Sequence, residues 1–187
     1  MPDSIRVTES STSGPTSRST TGRTIRIDTP ASVAEWNEAR ALVHELVAWL
    51  IQTTPLDFDA VVAPMLREIE LLADHYSPPG ACLLLGHMKS EPAGVTAVRI
   101  LEPGIAELKR VWVRPHFRNM GLASRLLDCA FIRARAMGAL SLRLETSPSI
   151  MPRAHAMYLN RGFQPIPHYS ELERHASDVV AMELRIE

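Results

Sequence analysis

From Trp36 onward, apolar residues return at intervals of three and four: Trp36, Ala39, Val43, Leu46, Val47 and Leu50. That spacing puts them on one face of a helix. Ser32-Val33-Ala34-Glu35, just ahead, is a capping-box pattern. Before it, Thr24-Ile25-Arg26-Ile27-Asp28 alternates and then meets Pro30, which reads as a short first strand. A second helix is expected from about Asp57 to Asp74, with Val61, Met65, Ile69 and Leu72 on one side and Ser77-Pro78-Pro79-Gly80 as its stop.

The period then shortens. Ala81 to Met88, Ala93 to Leu101 and Ile105 to Val113 read as three strands, with Glu91-Pro92 and Pro103-Gly104 as the tight turns between them. A long helix follows from about Gly121 to Met137, with Ala123, Leu126, Leu127, Ala130, Ala134 and Met137 inward and Gly138 at its end. Leu140 to Thr146 is a strand, Pro152 to about Arg161 a short helix stopped by Gly162, and Phe163 to Ile166 and Val179 to Ile186 supply the last strands. Three consecutive hairpin strands with later crossover helices imply an α/β (α+β) fold with a mixed sheet covered by helices. Leu108 and Val111 are an odd number apart, so the apolar phase slips within the third of these strands. A bulge explains that, and so does burial on both faces.

Residues 1 to about 23 are rich in Ser and Thr and poor in apolar side chains. Such a segment buries too little surface to offset its ordering entropy, and it is expected to be a disordered tail ahead of one domain over residues 24–187. The chain of 187 residues, 45% hydrophobic and 22% charged, suits a globular domain with a full core. A net charge of -1 gives no basic field to attract nucleic acid. No apolar stretch approaches the length of a membrane span, and the amino terminus lacks the apolar core of a signal peptide. The two cysteines, Cys82 and Cys129, lie in apolar segments, which fits a reducing, cytoplasmic setting. The seven scattered histidines form no pair at metal-ligand spacing, so no metal site is expected.

The chemistry is concentrated between Glu107 and Leu127. This stretch runs strand, Arg114-Pro115 turn, then Arg118-Asn119-Met120-Gly121-Leu122-Ala123-Ser124 into a helix. A glycine-containing loop that opens a helix presents unsatisfied backbone N–H groups at the positive end of the helix dipole, where a phosphate or pyrophosphate is held well. Gly121 permits close backbone approach. The pattern Arg-x-x-Gly-x-Ala is loose by itself, and an ordinary helix start fits it too. Its place between an apolar strand and a well-patterned helix strengthens the anion-binding reading.

This segment resembles the acetyl-CoA-binding motif of GNAT-family N-acetyltransferases. Downstream, Ala154 through Tyr158 to Gly162-Phe163 resembles the same family's Ala-x-x-x-Tyr-x-x-x-Gly-Phe element. Glu145-Thr146-Ser147-Pro148-Ser149, Met151 and Ile166-Pro167-His168-Tyr169 resemble a group of small bacterial GNAT proteins of unassigned substrate. The resemblance spans about residues 24 to 187. It implies a mostly antiparallel central sheet whose fourth strand, ending at Val113, is bulged and splayed from the Leu140 strand. It further implies that the backbone of Trp112 and Val113 pairs with the pantetheine arm of acetyl-CoA, and that Arg118, Asn119, Met120, Gly121, Leu122, Ala123 and Ser124 cradle the pyrophosphate. Many members carry an asparagine three residues before the alanine at Ala154. Here that place is Met151, which leaves the contact it makes without a counterpart.

An alkylamine is mostly protonated at neutral pH, so attack on a thioester needs a base, donors for the carbonyl oxygen and a proton for the leaving thiolate. Glu107 stands where the resemblance places a strand glutamate as base; it also fits an exposed strand residue paired with Lys109 or Arg110. Tyr158 stands where the family's tyrosine protonates the coenzyme A sulfur; it also fits a core tyrosine. Val113 N–H is the implied oxyanion donor. His168 and Tyr169 fall in a loop where the acceptor pocket is expected, or in a plain surface turn. The leading expectation is transfer of acetyl from acetyl-CoA to a small-molecule primary amine by direct attack in a ternary complex. A protein or peptide amine, and a non-catalytic acyl-CoA-binding sensor, are the alternatives. Family members often form homodimers, which leaves pairing of this chain open.

Overall fold

The computed structural model describes residues 24–170 and 178–186, and the tail expected over 1–23 lies outside the described residues. Strand β1 (Ile25–Asp28) leads into helices α1 (Val33–Thr53), α2 (Ala63–Glu70) and α3 (Leu72–His75). Strands β2 (Ala81–Met88), β3 (Glu91–Glu102) and β4 (Ile105–Val113) follow, then α4 (Leu122–Ala136), β5 (Ser141–Thr146), α5 (Pro152–Asn160), β6 (Gln164–Ile166) and β7 (Val180–Arg185). They form one sheet in the order β1-β2-β3-β4-β5-β7-β6. β4 and β5 run parallel, and every other neighbouring pair is antiparallel. This is the mixed sheet flanked by helices that the hydrophobic pattern implied, and it is mostly antiparallel, as the family resemblance implied. No helix among the described residues is long and apolar enough to cross a membrane.

The capping box forms. Glu35 N donates to Ser32 Oγ at 3.2 Å, and Glu35 Oε2 accepts from Ala31 N at 2.9 Å, one residue ahead of the cap. Two sequence expectations are corrected. The single helix expected from Asp57 to Asp74 is broken into a π-helical turn at Phe58–Val62, then α2 and α3. Pro64 has no N–H to give to Ala60, and the backbone turns wider just before it, with Val62 N reaching Asp57 O. Leu71 (φ -103°, ψ 29°) then separates α2 from α3. The turn expected at Glu91-Pro92 lies earlier, at Lys89 and Ser90, whose φ values of 50° and 67° are those of a tight hairpin reversal. Glu91 and Pro92 already pair with Met88 and His87, where the register shifts, the kind of place a sheet tolerates a proline.

All eight residues of β2 are buried because helices cover both sheet faces. Cys82 and Leu84 join α4 and Phe163 in one core, whereas Leu83 and Leu85 join Leu42, Leu46, Ile69 and Leu72 of α1, α2 and α3 in the other. β4 contributes to both cores. Leu108 and Val113, five apart, share the α4 core, while Trp112, four from Leu108, lies in the opposite one. Even spacing along a regular strand keeps side chains on one face, so an extra residue lies between them. It is accommodated at Arg110, whose φ is 57°. The ladder agrees: Val95 faces Trp112, but Ala97 faces Lys109. Both sequence explanations hold, since Ala106, Glu107 and Leu108 are consecutive buried residues and the strand also bulges.

The bulge has a second consequence. The β4–β5 ladder consists of Ile105 with Ser141, Ala106 with Leu142 and Glu107 with Arg143, and ends there. Beyond Glu107 the two strands part, and the far side of β5 remains paired to β7 as far as Thr146. A wedge opens between β4 and β5, floored by the sheet and reached by α1, α4 and α5.

Candidate active site

Two adjoining clefts occupy the wedge. The outer one, about 470 Å³, is bounded by Trp112, Val113, the loop into α4 and the start of α5. The inner one, about 160 Å³, is bounded by Glu107, Leu108, Lys109, Glu145, Thr146 and Tyr158, with Leu50, Leu56, Val61 and Met65 above. Leu46, Val111, Ile150, Met151 and Ala154 border both.

The outer cleft ends at the amino terminus of α4. Asn119 (φ 61°) and Gly121 (φ 85°) both adopt left-handed backbone, and Gly121 is the N-cap without a side-chain hydrogen bond. A Cβ at Gly121 would meet nothing within 4 Å, so it is backbone conformation that calls for glycine there. No acidic residue lies in the first turn of this 15-residue helix. Its leading N–H groups thus keep their positive potential for an anion. Arg118 donates from Nε to Val113 O at 2.9 Å, and its guanidinium lies 4.9 Å from the Trp112 ring centre. Trp112 in turn lies 5.6 Å from Trp49.

Of the residues assigned to the cofactor from sequence, Trp112, Val113, Arg118, Asn119, Gly121, Leu122, Ala123 and Ser124 line this cleft together. Met120 is not among the lining residues and is partly exposed on the loop. The Ser124 hydroxyl accepts a hydrogen bond from Arg161, which also donates to Ser124 O at 3.0 Å and pairs with Asp128. Arg161 thereby ties the end of α5 to the start of α4, a role its sequence position did not announce. Met151, where the family asparagine is missing, borders both clefts with its neighbour Ile150. An open strand edge, a long cleft and an uncapped helix amino terminus in line suit an extended molecule with a phosphorylated end.

In the inner cleft, Glu107 and Tyr158 are brought together as lining residues. Glu107 is 5% exposed. Its carboxylate accepts from Arg99 Nε at 2.8 Å and Nη2 at 2.7 Å, has Lys109 Nζ at 3.7 Å, and accepts from the Tyr169 hydroxyl at 3.3 Å. Tyr169 is thus drawn to the wedge from the loop after β6, and burial pushes its phenol up. Tyr158 packs edge-on to Phe163 at 5.7 Å, and its hydroxyl makes no hydrogen bond to a described residue. Burial raises the Tyr158 phenol, which keeps it protonated. Burial also lowers the Lys109 ammonium, with Glu107 opposing.

Two inner-cleft residues were given no site role from sequence. Glu145 accepts from Ser170 Oγ at 2.7 Å, and its carboxyl lies above the usual range, chiefly through burial. Thr146 is 3% exposed with Oγ1 unpartnered. Both stand in the segment Glu145–Ser149 that carries part of the family resemblance, but nothing along the chain says that β4 leaves β5 beside them. Cys129 lies beside neither carboxylate; burial pushes its thiol up, which suppresses the thiolate.

A family model described as the acetyltransferase (GNAT) family matches residues 43–163. The uncharacterized N-acetyltransferase YjgM of Escherichia coli is 32% identical over 96 residues, which cover 50% of this chain and 57% of that relative, so the chain spans little more than half of that relative's length. An acetyltransferase from Streptococcus agalactiae superposes with a TM-score of 0.68 at 18% identity, over 86% of this chain and 98% of that one. The PaiA N-acetyltransferase from Thermoplasma acidophilum, solved in complex with coenzyme A, superposes with a TM-score of 0.67 at 16% identity, over 87% and 99%.

Proposed function

Because the chain belongs to the GNAT acetyltransferase family, we propose that it is an acetyl-CoA-dependent N-acetyltransferase acting on a primary amine of a small molecule by direct attack in a ternary complex. The observation that carries this reading is the wedge itself. One end is an uncapped helix amino terminus suited to a pyrophosphate, and the other is a smaller chamber lined by two carboxylates and a protonated tyrosine.

When bound, acetyl-CoA supplies an activated acetyl group. The chain's residues do the rest. Arg118 and the first turn of α4 hold the pyrophosphate, and the β4 edge at Trp112 and Val113 orients the pantetheine. The Val113 N–H serves the carbonyl oxygen, as an oxyanion donor. Tyr158 holds the proton that the leaving sulfur needs. A carboxylate of the inner chamber takes the proton of the incoming ammonium. Glu107, the residue expected from sequence, and Glu145 both line that chamber. Leu50 of α1, Leu56, Val61 of the π-helical turn and Met65 of α2 line its wall, and its volume of about 160 Å³ favours a compact acceptor over an extended peptide.

Calorimetric titration with acetyl-CoA, followed by thiol release across a panel of amines and peptides, tests the proposal. Binding with turnover of small amines supports it. Binding without turnover on any acceptor favours a sensor, turnover of peptides alone favours a protein substrate, and absence of binding overturns it.

A further inference from the structure

The two carboxylates of the inner chamber are not equivalent. Glu107 is engaged on both oxygens: Arg99 holds Oε2 from two nitrogens, with Lys109 Nζ nearby, and Tyr169 donates to Oε1. Its negative charge is already matched by two cations. Glu145 has no cation within ion-pair distance among the described residues, and its hydrogen bond comes from the neutral hydroxyl of Ser170. The groups facing it are Glu107 and Lys109 from β4 and Tyr169, Ser170 and His168 from the loop after β6. β7, its other neighbour, presents Ala181 at the paired position.

Next to Glu145, Thr146 also borders the chamber, and its buried Oγ1 has no partner among the described residues. A buried hydroxyl left unsatisfied costs free energy, and a ligand that hydrogen-bonds to it recovers that cost. A carboxylate without an ion-pair partner and a hydroxyl without a hydrogen bond among the described residues therefore stand on consecutive residues of β5, in a chamber whose wall is aliphatic at Leu46, Leu50, Leu56 and Met65 and also carries Lys109 and Arg110.

We propose that Glu145 is the residue that receives the acceptor's ammonium group and takes its proton, with Thr146 as the second polar contact, and that the acceptor is a primary alkyl- or arylalkylamine without a carboxylate. This rests on the acetyltransferase reading above. The cations that line the chamber, Lys109 and Arg110, are engaged by Glu107 and Glu68, so an acceptor's own carboxylate would be buried without a partner among the described residues, while an apolar body is accommodated by the aliphatic part of the wall. Burial lifts Glu145 and would lower the ammonium, which narrows the gap between proton donor and acceptor.

The proton balance closes. The ammonium gives one proton to the Glu145 carboxylate, the nitrogen lone pair forms the N–C bond while the C–S bond breaks, and the sulfur takes the Tyr158 proton. The second nitrogen proton restores Tyr158, and Glu145 releases its proton to solvent.

The test uses the full chain with hexylamine, 2-phenylethylamine and 6-aminohexanoate as probes. Wild type is expected to acetylate the first two, and to use 6-aminohexanoate at least about tenfold less well because its carboxylate would be desolvated there without a partner. Glu145→Gln is expected to lower kcat/KM by about 100-fold or more. Its pH profile should lose the carboxylate limb and climb only as the amine itself deprotonates, because only neutral amine then reacts. It should also bind 2-phenylethylamine at least about tenfold more weakly in the coenzyme A complex by calorimetry, through the lost charge-assisted contact. Glu107→Gln should keep the carboxylate limb, and Thr146→Val should raise KM more than it lowers kcat. Retention of the limb in Glu145→Gln with its loss in Glu107→Gln overturns the assignment. So does acetyl-CoA binding by wild type with turnover of neither amine, or preference for 6-aminohexanoate. Failure of wild type to bind acetyl-CoA overturns the underlying reading instead.

Discussion

Arg110, the residue in left-handed backbone at the β4 bulge, grips Glu68 of α2 with two hydrogen bonds, Nε to Oε1 at 2.8 Å and Nη2 to Oε2 at 2.7 Å. Tyr76 adds a third from its hydroxyl, to Oε1 at 2.7 Å. The pair joins the helix that roofs the inner chamber to the irregularity that opens the wedge, and both side chains are largely buried.

Glu68→Ala strands the Arg110 charge in that setting, and a loss of about 3 kcal/mol of unfolding free energy is expected. Because the bulge loses its tether, acetyl-CoA affinity should fall as well. Denaturant midpoints and calorimetric titration measure the two effects. Unchanged stability would show that the bulge holds without the pair.

The same pair carries a pH signature. Burial by itself would raise the Glu68 carboxyl, but the Arg110 guanidinium and the Tyr76 hydroxyl hold it below its ordinary value. A carboxyl whose folded value lies below its unfolded one, about 4.3, adds stability that is complete above that pH and disappears as pH falls through the folded value. The stability gap between wild type and Glu68→Gln should therefore be constant near neutrality and shrink below about pH 4. A gap that widens on acidification would contradict this.

Tyr158→Phe keeps the ring against Phe163 and removes a hydroxyl without a partner among the described residues. Stability is expected to change by less than about 1 kcal/mol. If Tyr158 protonates the leaving sulfur, kcat should fall about 100-fold with acetyl-CoA affinity retained. Steady-state kinetics beside calorimetry separates these, and full activity in the variant would remove Tyr158 from the mechanism.

Gly94 lets β3 pass the end of β4 at close range. A Cβ there would lie 2.7 Å from Trp112 O and 3.1 Å from Val113 Cγ2, displacing the very backbone assigned to the pantetheine. Gly94→Ala should cost about 2 kcal/mol by overpacking and weaken acetyl-CoA binding. Gly86→Ala should cost less, since its closest contact, at 2.9 Å, is the flexible tip of Leu122. Thermal melts of both variants decide the order.

Arg118→Ala removes a guanidinium from the rim of the outer cleft and its bond to Val113 O. Acetyl-CoA affinity is expected to fall by about tenfold or more, as for a lost charged hydrogen bond. The salt dependence of binding should become shallower in the variant. Titrations at two ionic strengths test both, and an unchanged salt slope would place the cation away from the pyrophosphate.

How much of this was legible along the chain depends on the range of the cause. Helix α1 and its cap follow from residues within one turn, since Ser32, Glu35 and the three-and-four spacing act locally. The loop Arg118–Ser124 was equally readable, because left-handed backbone and a helix start are properties of the segment itself. The break in the second helix was missed although Pro64 stood in plain view, because the aliphatic spacing from Val61 to Leu72 continues across it. The turn at Lys89-Ser90 was missed because neither residue is one that readily adopts the positive φ it has there, while Pro92 beside it is a strong turn marker.

The family, the order of the strands and the glycine loop into α4 were determined by sequence, and Glu107 and Tyr158 became site candidates through the family resemblance, because the motifs rest on residue identity at short and fixed spacing. The inner chamber was decided by the tertiary structure. Whether a glutamate on β4 is matched by a cation depends on Arg99 across the β3–β4 ladder and Tyr169 from a distant loop. Whether Glu145 and Thr146 face a cleft depends on β4 parting from β5 beyond Glu107. Charge matching and burial are sums over neighbours that folding brings together, and no spacing along one chain records them.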